Sequence, residues 1–334
     1  MRVGCIGYAT EQGVGHLAKS FYDASVITHP AIFLHDQRKN HLDWYPEGTP
    51  TFETVPFAGP KVDAYVRSVD VLMFFETPWD WSLLRYCKER GVKTVLVPMY
   101  EWFPRRPEYL PDKFICPSLL DYDYFRHHNA EFIPVPVDVS WQLRTKARRY
   151  LHNAGGIGFR EHKGTRELLL AMKYVKSDLQ LTVRSQDEEG LRKILLETNT
   201  ITNGRIKVEF GNKQYKDLWQ DYDVLVAPEK FNGLSLPLQE ARAAGMLVMT
   251  TNRFPMNTWL PTDPLIPVSK QFRTRIADHL QEIDECVMEP QTIARIMDLW
   301  YDRDISDYSL GGREWATQNS WQALKPRWLE GLAI

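Results

Sequence analysis

A glutamate one turn into a short helix, behind a polar glycine loop, is the feature of this sequence best suited to holding a ligand. The segment runs Pro228-Glu-Lys-Phe-Asn-Gly-Leu-Ser-Leu-Pro-Leu-Gln-Glu240. Pro237 fits the first helical turn, because its ring presets φ and it has no N–H to waste. Leu238, Ala241 and Ala244 give the helix an apolar side, and Gly245 ends it. Apolar runs at 223–227 and 247–250 flank the loop and helix, so the unit reads strand–loop–helix–strand. Its helix N-terminus then faces the carboxyl end of a sheet. That is where open α/β sheets bind ligands, and free N–H groups there suit a phosphate. Glu240 lies close enough to reach back towards such a ligand.

The rest of the chain must supply the sheet. Residues 2–8 read as a first strand, 9–15 as a loop containing Gly13-Val14-Gly15, and 16–23 as a helix with Leu17, Ala18 and Phe21 on one face. Further strands are expected at 31–34 and 49–55. The strongly apolar run 69–75 precedes a polar-aromatic loop, Glu76-Thr-Pro-Trp-Asp-Trp81. A helix over 82–90 ends at Gly91. The strand 93–97 leads into Pro98-Met-Tyr-Glu-Trp-Phe-Pro104, and short strands follow at 113–116 and 131–135.

Residues 137–150 read as a boundary. Pro134 and Pro136 stiffen its start, and Arg144, Lys146, Arg148 and Arg149 make it the most basic stretch. Two readings stand: a solvated linker helix, or a rim that attracts an anionic substrate. The second half then restarts the pattern. A strand ends near 153–157, a loop spans 158–164, and a helix over 165–175 carries Leu168, Leu169, Met172 and Val175 at helical spacing. A strand at 179–184, a helix at 188–197, a strand at 206–210 and a helix near 215–222 lead into the opening segment. Residues 255–267 read as irregular, 271–284 and 290–298 as helical, and 313–332 as a helical tail with Trp315, Trp321, Leu324 and Trp328. Strands alternating with helices of this size argue parallel α/β layers. Two such halves imply ligand binding in a cleft between them.

Composition narrows the classes. A chain of 334 residues suits two domains better than one. The net charge of −2 and the pI of about 6.5 give no global basic excess, which weighs against a dedicated nucleic-acid binder. Cys5, Cys87, Cys116 and Cys286 are far apart without metal or redox spacing, and read as reduced thiols of a cytosolic protein. A strand begins at once with no signal peptide, and no run reaches the roughly 18 apolar residues needed to span a membrane.

The order of motifs resembles the GT-B glycosyltransferases, in particular the large retaining family four, and within it the phage-encoded members. That family's signature is Glu, seven residues, Glu, Ala, then a Gly before the next strand. Glu240-Ala241 and Gly245 fit it, with Asn232 standing in the first Glu position. Lys163-Gly164 resembles the Lys-Gly that opens the first helix of the donor domain. Gly13-Val14-Gly15 resembles the N-terminal glycine-rich loop, and Val135-Pro-Val-Asp138 the segment entering the second domain. Trp321 resembles the tail that folds back across both domains. The resemblance implies a GT-B fold: an N-terminal acceptor-side Rossmann-like domain over 1–142 and a donor domain over 143–312 facing each other across a cleft, with a helix over 313–334 crossing back.

What the resemblance implies for individual residues follows from the reaction. Negative charge builds on a diphosphate leaving group, so positioning and electrostatics can do most of the work. Lys163 is the implied cation for that diphosphate. The Arg that the family places six residues earlier is Ile157 here, so Arg160 or Arg184 would replace it, guanidinium gripping phosphate bidentately. Glu240 would bind ribose hydroxyls, Asn232 the transferred sugar, and the backbone of Gly233, Leu234, Ser235 and Leu236 the diphosphate. Gly13, Val14 and Gly15 would let the backbone approach the donor, with His16 capping or lining that place. Glu76, Asp80, Tyr100 and Glu101 follow strand ends and are candidates for contacting or deprotonating an acceptor hydroxyl, Glu101 ahead of Glu76. The family often has a His near Tyr100-Glu101, which this chain lacks. Trp79, Trp81 and Trp102 either stack on a sugar or flipped base or fill gaps beneath loops. Asp121-Tyr-Asp123 has metal-binding spacing but an unsuitable context, so no metal is expected.

The expected activity is retaining transfer of a sugar from a nucleotide donor, UDP-linked, to a hydroxyl, in the cytoplasm, with no further cofactor. Acceptors in view are a hydroxymethylated pyrimidine in phage DNA, reached through Arg105, Arg106, Arg126, Lys146, Arg148 and Arg149, or a virion protein or small glycan. A non-catalytic nucleotide-sugar-binding module and a GT-B epimerase remain as alternatives.

Overall fold

The computed structural model describes residues 1–35, 38–156, 161–201, 203–211, 213–214, 217–260, 264–275 and 280–334. The chain divides into two units. The first comprises residues 1–136 together with Leu280, Gln281 and 321–334; the second comprises the remainder from Val137 to Ser320. The chain thus enters the second unit ahead of the boundary expected at 142. Val137 N–H already bonds Asn319 O at 2.8 Å, and Trp141 Nε1 bonds Ser309 O at 2.9 Å, both partners being in the second unit.

In chain order the first unit has β1 (Val3–Gly7), α1 (Gly13–Asp23), β2 (His29–Phe33), β3 (Thr51–Phe52), α2 (Pro60–Arg67), β4 (Val71–Glu76), α3 (Ser82–Glu89), β5 (Lys93–Pro98), β6 (Lys113–Cys116), α4 (Leu119–Phe125) and β7 (Ala130–Phe132). The strands form one parallel sheet in the order β3-β2-β1-β4-β5-β6-β7. Val71 to Phe75 are all buried, as a strand covered on both faces requires.

The second unit has β8 (Arg149–Gly155), α5 (Thr165–Ala171), β9 (Gln180–Ser185), α6 (Glu188–Glu197), β10 (Ile206–Phe210), β11 (Val224–Ala227), α7 (Leu236–Ala243), β12 (Leu247–Thr251), β13 (Leu265–Ile266), β14 (Lys270–Thr274), β15 (Ile283–Val287), α8 (Pro290–Trp300) and α9 (Ser306–Gln318). Its main sheet is parallel, in the order β10-β9-β8-β11-β12-β13. This order is that of a doubly wound nucleotide-binding sheet. A last helix, α10 (Trp321–Leu332), returns to the first unit. Trp328 is fully buried there, edge-on to Phe21 at 4.6 Å, with Nε1 donating to Pro134 O at 3.0 Å.

Several expectations for the second half change; residues 218–221, expected within a helix, are bends and turns. The helix expected over 271–284 is an antiparallel hairpin, β14 with β15, Lys270 opposite Val287. Lys270 to Arg273 are exposed, so backbone pairing holds this segment rather than an apolar helical stripe. No helix lies between 137 and 148; this segment is irregular apart from a bridge at Lys146, and β8 begins at Arg149. The tail is two helices that break at Asn319-Ser320, not one.

Candidate active site

Each parallel sheet reverses its strand order once, between β1 and β4 in the first unit and between β8 and β11 in the second. The crevice beyond the carboxyl ends of such a strand pair is where doubly wound sheets take their ligands. In the second unit the loop after β8 brings Lys163 and the loop after β11 brings residues 228–235.

These two loops are zipped together. Lys163 Nζ donates to Glu229 Oε1 at 2.5 Å, and Lys230 Nζ reaches Glu161 at 2.8 Å and Glu167 at 3.0 Å. Lys230 N–H adds a bond to His162 O at 2.7 Å. Gly164 is required at the seam. Its φ is +70°, and a Cβ there would meet Pro228 O at 2.0 Å. Below it, His152 bridges Val226 O (2.8 Å) and Thr165 Oγ1 (2.9 Å), and burial lowers its affinity for a proton to about 4. A neutral imidazole thus ties β8 to β11 and to the start of α5.

Glu229 is the centre of this arrangement. Besides Lys163 it accepts from Ser235 Oγ at 2.8 Å and from Asn232 Nδ2 at 3.3 Å. Burial would raise its pKa, but the charge and hydrogen bond of Lys163, with the Ser235 bond, hold the carboxyl below its ordinary range. Asn232 therefore works within the loop: its Oδ1 also accepts the Ser235 N–H at 2.8 Å. That bond holds Ser235 at φ +50°, a left-handed conformation costly for a residue with a Cβ, directly before α7. Gly233 and Leu234 lie buried in the same turn, and Leu236 begins the helix. Glu240, expected to reach back from α7, is buried. Gly245 ends the helix at φ +87° and packs against Gln142 O, too close for any Cβ.

Of the two arginines expected to grip a diphosphate, Arg160 lies outside the described residues. Arg184 is spent elsewhere: it bonds Glu209 Oε2 at 3.1 Å and Leu218 O at 2.9 Å and is buried.

In the first unit, Gly13-Val14-Gly15 is the first turn of α1, not a loop before it. Gly15 is needed because a Cβ would meet Thr10 O at 2.2 Å, whereas Gly13 faces open space. His16 Nε2 meets Glu11 Oε2 at 2.9 Å, and its ring lies 5.1 Å from that of Trp44.

A group of carboxyls, Glu101 and Asp121 buried and Glu76 half-buried, marks the ends of β4 and β5. Burial pushes Glu76 up to about 7. Burial, then the neighbouring Asp121 and Glu76, pushes Glu101 up to about 8. Asp121 is raised to about 7 by burial, against the hydrogen bonds it receives from Ser118 Oγ and Tyr100 N–H. The Tyr100 bond, 2.8 Å to Asp121 Oδ1, holds the turn that carries Glu101. Gln281 Nε2 steadies the same turn through Phe103 O at 2.7 Å. Glu101 Oε2 is buried without a hydrogen-bond partner among the described residues. Carboxyls so placed keep their protons to neutral pH, and are strong bases once deprotonated.

The aromatic loops divide by role. Trp79, at φ +62°, packs its half-buried ring 4.8 Å from Tyr8, and Glu76 is also left-handed at φ +66°. Trp81, also half-buried, meets Phe103 edge-on at 5.3 Å and, like Trp79, packs against the core. Trp102 is half-buried in the 100–102 turn. Asp80 is an internal cap: it accepts from Phe57 N–H at 2.8 Å, Ser82 N–H at 3.0 Å and Ser82 Oγ at 2.6 Å.

The sequence does not single out Glu229, and it marks Asp121 only for its metal-like spacing from Asp123. Glu229 directly follows a wholly apolar strand and its proline, a position that marks a strand's carboxyl end. Asp121 lies three residues after Ser118, a helix-start pattern, and the pair bond each other there. Asp123, its partner in spacing, is exposed and pairs with Arg126. Among the described residues no cluster of three or more His, Cys, Asp or Glu side chains could hold a metal, and no helix is long and apolar enough to cross a membrane. The basic stretch is largely paired internally. Arg144 is buried on the carbonyls of Gln142, Trp219, Gln220 and Tyr222, Arg148 meets Asp302, and Arg149 meets Asp223.

No known family model matches the sequence. No curated protein matches it either. Solved structures share the fold. The Anabaena protein HepE, in complex with UDP and glucose, superposes with a TM-score of 0.70 over 100% of this chain and 99% of its own, at 11% identity. A glycosyltransferase from Rickettsia africae gives 0.68 at 13% identity, covering 99% of this chain and 98% of its own. Sucrose-phosphate synthase from Thermosynechococcus elongatus gives 0.64 at 14%, covering 98% and 97%. With two parallel-sheet Rossmann-like units and these neighbours, the chain has the GT-B fold.

Proposed function

We propose that this chain is a retaining glycosyltransferase that moves a sugar from a UDP-linked donor to an acceptor hydroxyl. The observation that carries the reading is the docking of Lys163-Gly164 onto the 228–235 turn at the switch point of the second sheet. There a cation and a helix start meet where a doubly wound sheet binds nucleotide phosphates. HepE, which shares the fold, was solved with UDP and glucose. The resemblance to the retaining group argues for retention.

In this reading Lys163 and the N-terminal backbone of α7 take the diphosphate, and Glu240 takes the ribose. In the first unit, Glu101 receives the acceptor's proton, with Glu76 and Asp121 raising its basicity. Trp79 and Trp102 supply apolar faces for the acceptor. The internal pairing of Arg148 and Arg149 removes support for a broad DNA-phosphate surface, so hydroxyl acceptors on glycans come first.

Calorimetry with UDP-, GDP- and ADP-linked sugars tests the donor site. One class should bind, and Lys163→Gln should weaken it by about 10–100-fold, the worth of a charge-assisted hydrogen bond. Unchanged affinity would remove Lys163 from the site. Product mass with an acceptor panel, including hydroxymethylated DNA, then reads transfer, while sugar conversion without acceptor would indicate an epimerase.

A further inference from the structure

Glu229 is an anion that the donor reading leaves unused. Its side chain is 2% exposed, yet Lys163, Asn232 and Ser235 all donate to it. Lys163 itself is 18% exposed, and its charge is already matched inside the loop. A matched pair attracts a second anion far less than a lone ammonium would. Lys230 cannot take over, since Glu161 and Glu167 hold it.

Resting on the donor reading above, we propose that Glu229 is a resident counter-ion of Lys163, which the donor's diphosphate displaces, so that donor binding places a proton on Glu229. A carboxylate left buried without its cation does not stay ionised; it binds a proton instead. The proton comes from solvent, and the neutral acid keeps its bonds to Ser235 and Asn232. The other titratable groups facing Glu229 are His162 and His152. Burial holds His152 neutral, against a bond to Val226 O that favours the protonated ring, so it contributes no proton change near neutrality. Cys286 Sγ points to the Glu229 carbonyl and not to its carboxylate.

The test is calorimetry of UDP-glucose and ADP-glucose on the whole chain. Their diphosphates are diesters and do not titrate near neutrality. Titrations at about pH 6.5 in two buffers of different ionisation enthalpy read the proton count. The wild-type chain should take up close to one proton per donor bound, and its affinity should fall as pH rises. Glu229→Gln should take up none, bind roughly tenfold tighter, and lose the pH dependence. His162→Gln should keep the wild-type proton count. The wild-type measurement stands even if Glu229→Gln does not fold. Binding without proton uptake, or equal or weaker binding by Glu229→Gln, overturns the counter-ion role and leaves the donor reading standing. No binding of any nucleotide sugar overturns both.

Discussion

Glu101→Gln perturbs the buried acids of the first unit in a way that can be calculated. Burial, with Asp121 and Glu76 close by, lifts the Glu101 carboxyl from 4.5 to about 8. The folded chain therefore keeps a proton that the unfolded chain releases above its ordinary pKa. Between the two values the folded state binds more protons, so stability falls as pH rises. The contribution is complete below the unfolded value and gone above about 8. Each pH unit in that window costs up to about 1.4 kcal/mol, which bounds the whole loss at roughly 4–5 kcal/mol. Asp121 and Glu76 share the titration, so about 2–3 kcal/mol should follow Glu101 itself. Glutamine keeps the shape and cannot ionise. Guanidinium unfolding in steps from about pH 5 to 9 should show the variant within about 1 kcal/mol of wild type at the acid end and ahead by about 2–3 kcal/mol at the alkaline end. Parallel curves across that range would refute the claim that Glu101 is a buried acid.

Two further substitutions test the scaffold. Gly164→Ala forces a Cβ onto Pro228 O from a left-handed backbone, and should cost about 2–4 kcal/mol and loosen the 161–164 and 228–235 loops in hydrogen exchange; a melting temperature unchanged from wild type would show that the seam yields. Trp328→Ala removes a fully buried ring and its bond to Pro134 O, and should cost about 3–5 kcal/mol in denaturant unfolding, with Trp328→Phe recovering part of it.

What could be read from sequence followed the range of the physics. The apolar runs of β4, β5 and β11 declare buried parallel strands, and the Pro237 and Gly245 signals bracket α7, because each rests on neighbours a few residues away. Glu229 depends on Lys163, and Arg149 on Asp223, so their roles emerge only when distant segments meet. The same holds for Arg144: as a sequence it is one charge in a basic stretch, while in the fold its guanidinium is consumed by backbone carbonyls 75 to 78 residues away. Asn232 illustrates a subtler limit. Its spacing from Glu240 suggested a sugar contact, but its amide is engaged by Ser235 and Glu229, a competition that spacing does not reveal. The β14–β15 hairpin escaped because β14 is mostly exposed and neither strand carries a period-two pattern.

The return of α10 to the first unit sets an order of assembly. Phe21 leaves the ribosome well before the rings of Trp321 and Trp328 that cover it, which emerge only after the entire second unit. At about 5–20 residues per second that wait is on the order of ten seconds or more. During it the second sheet, whose strands are contiguous in the chain, can fold unaided. The earlier sheet meanwhile holds an open aromatic patch around Phe21. Nascent chains of this topology should therefore present that patch to chaperones, and truncations that remove α10 should aggregate through the first unit and not through the second.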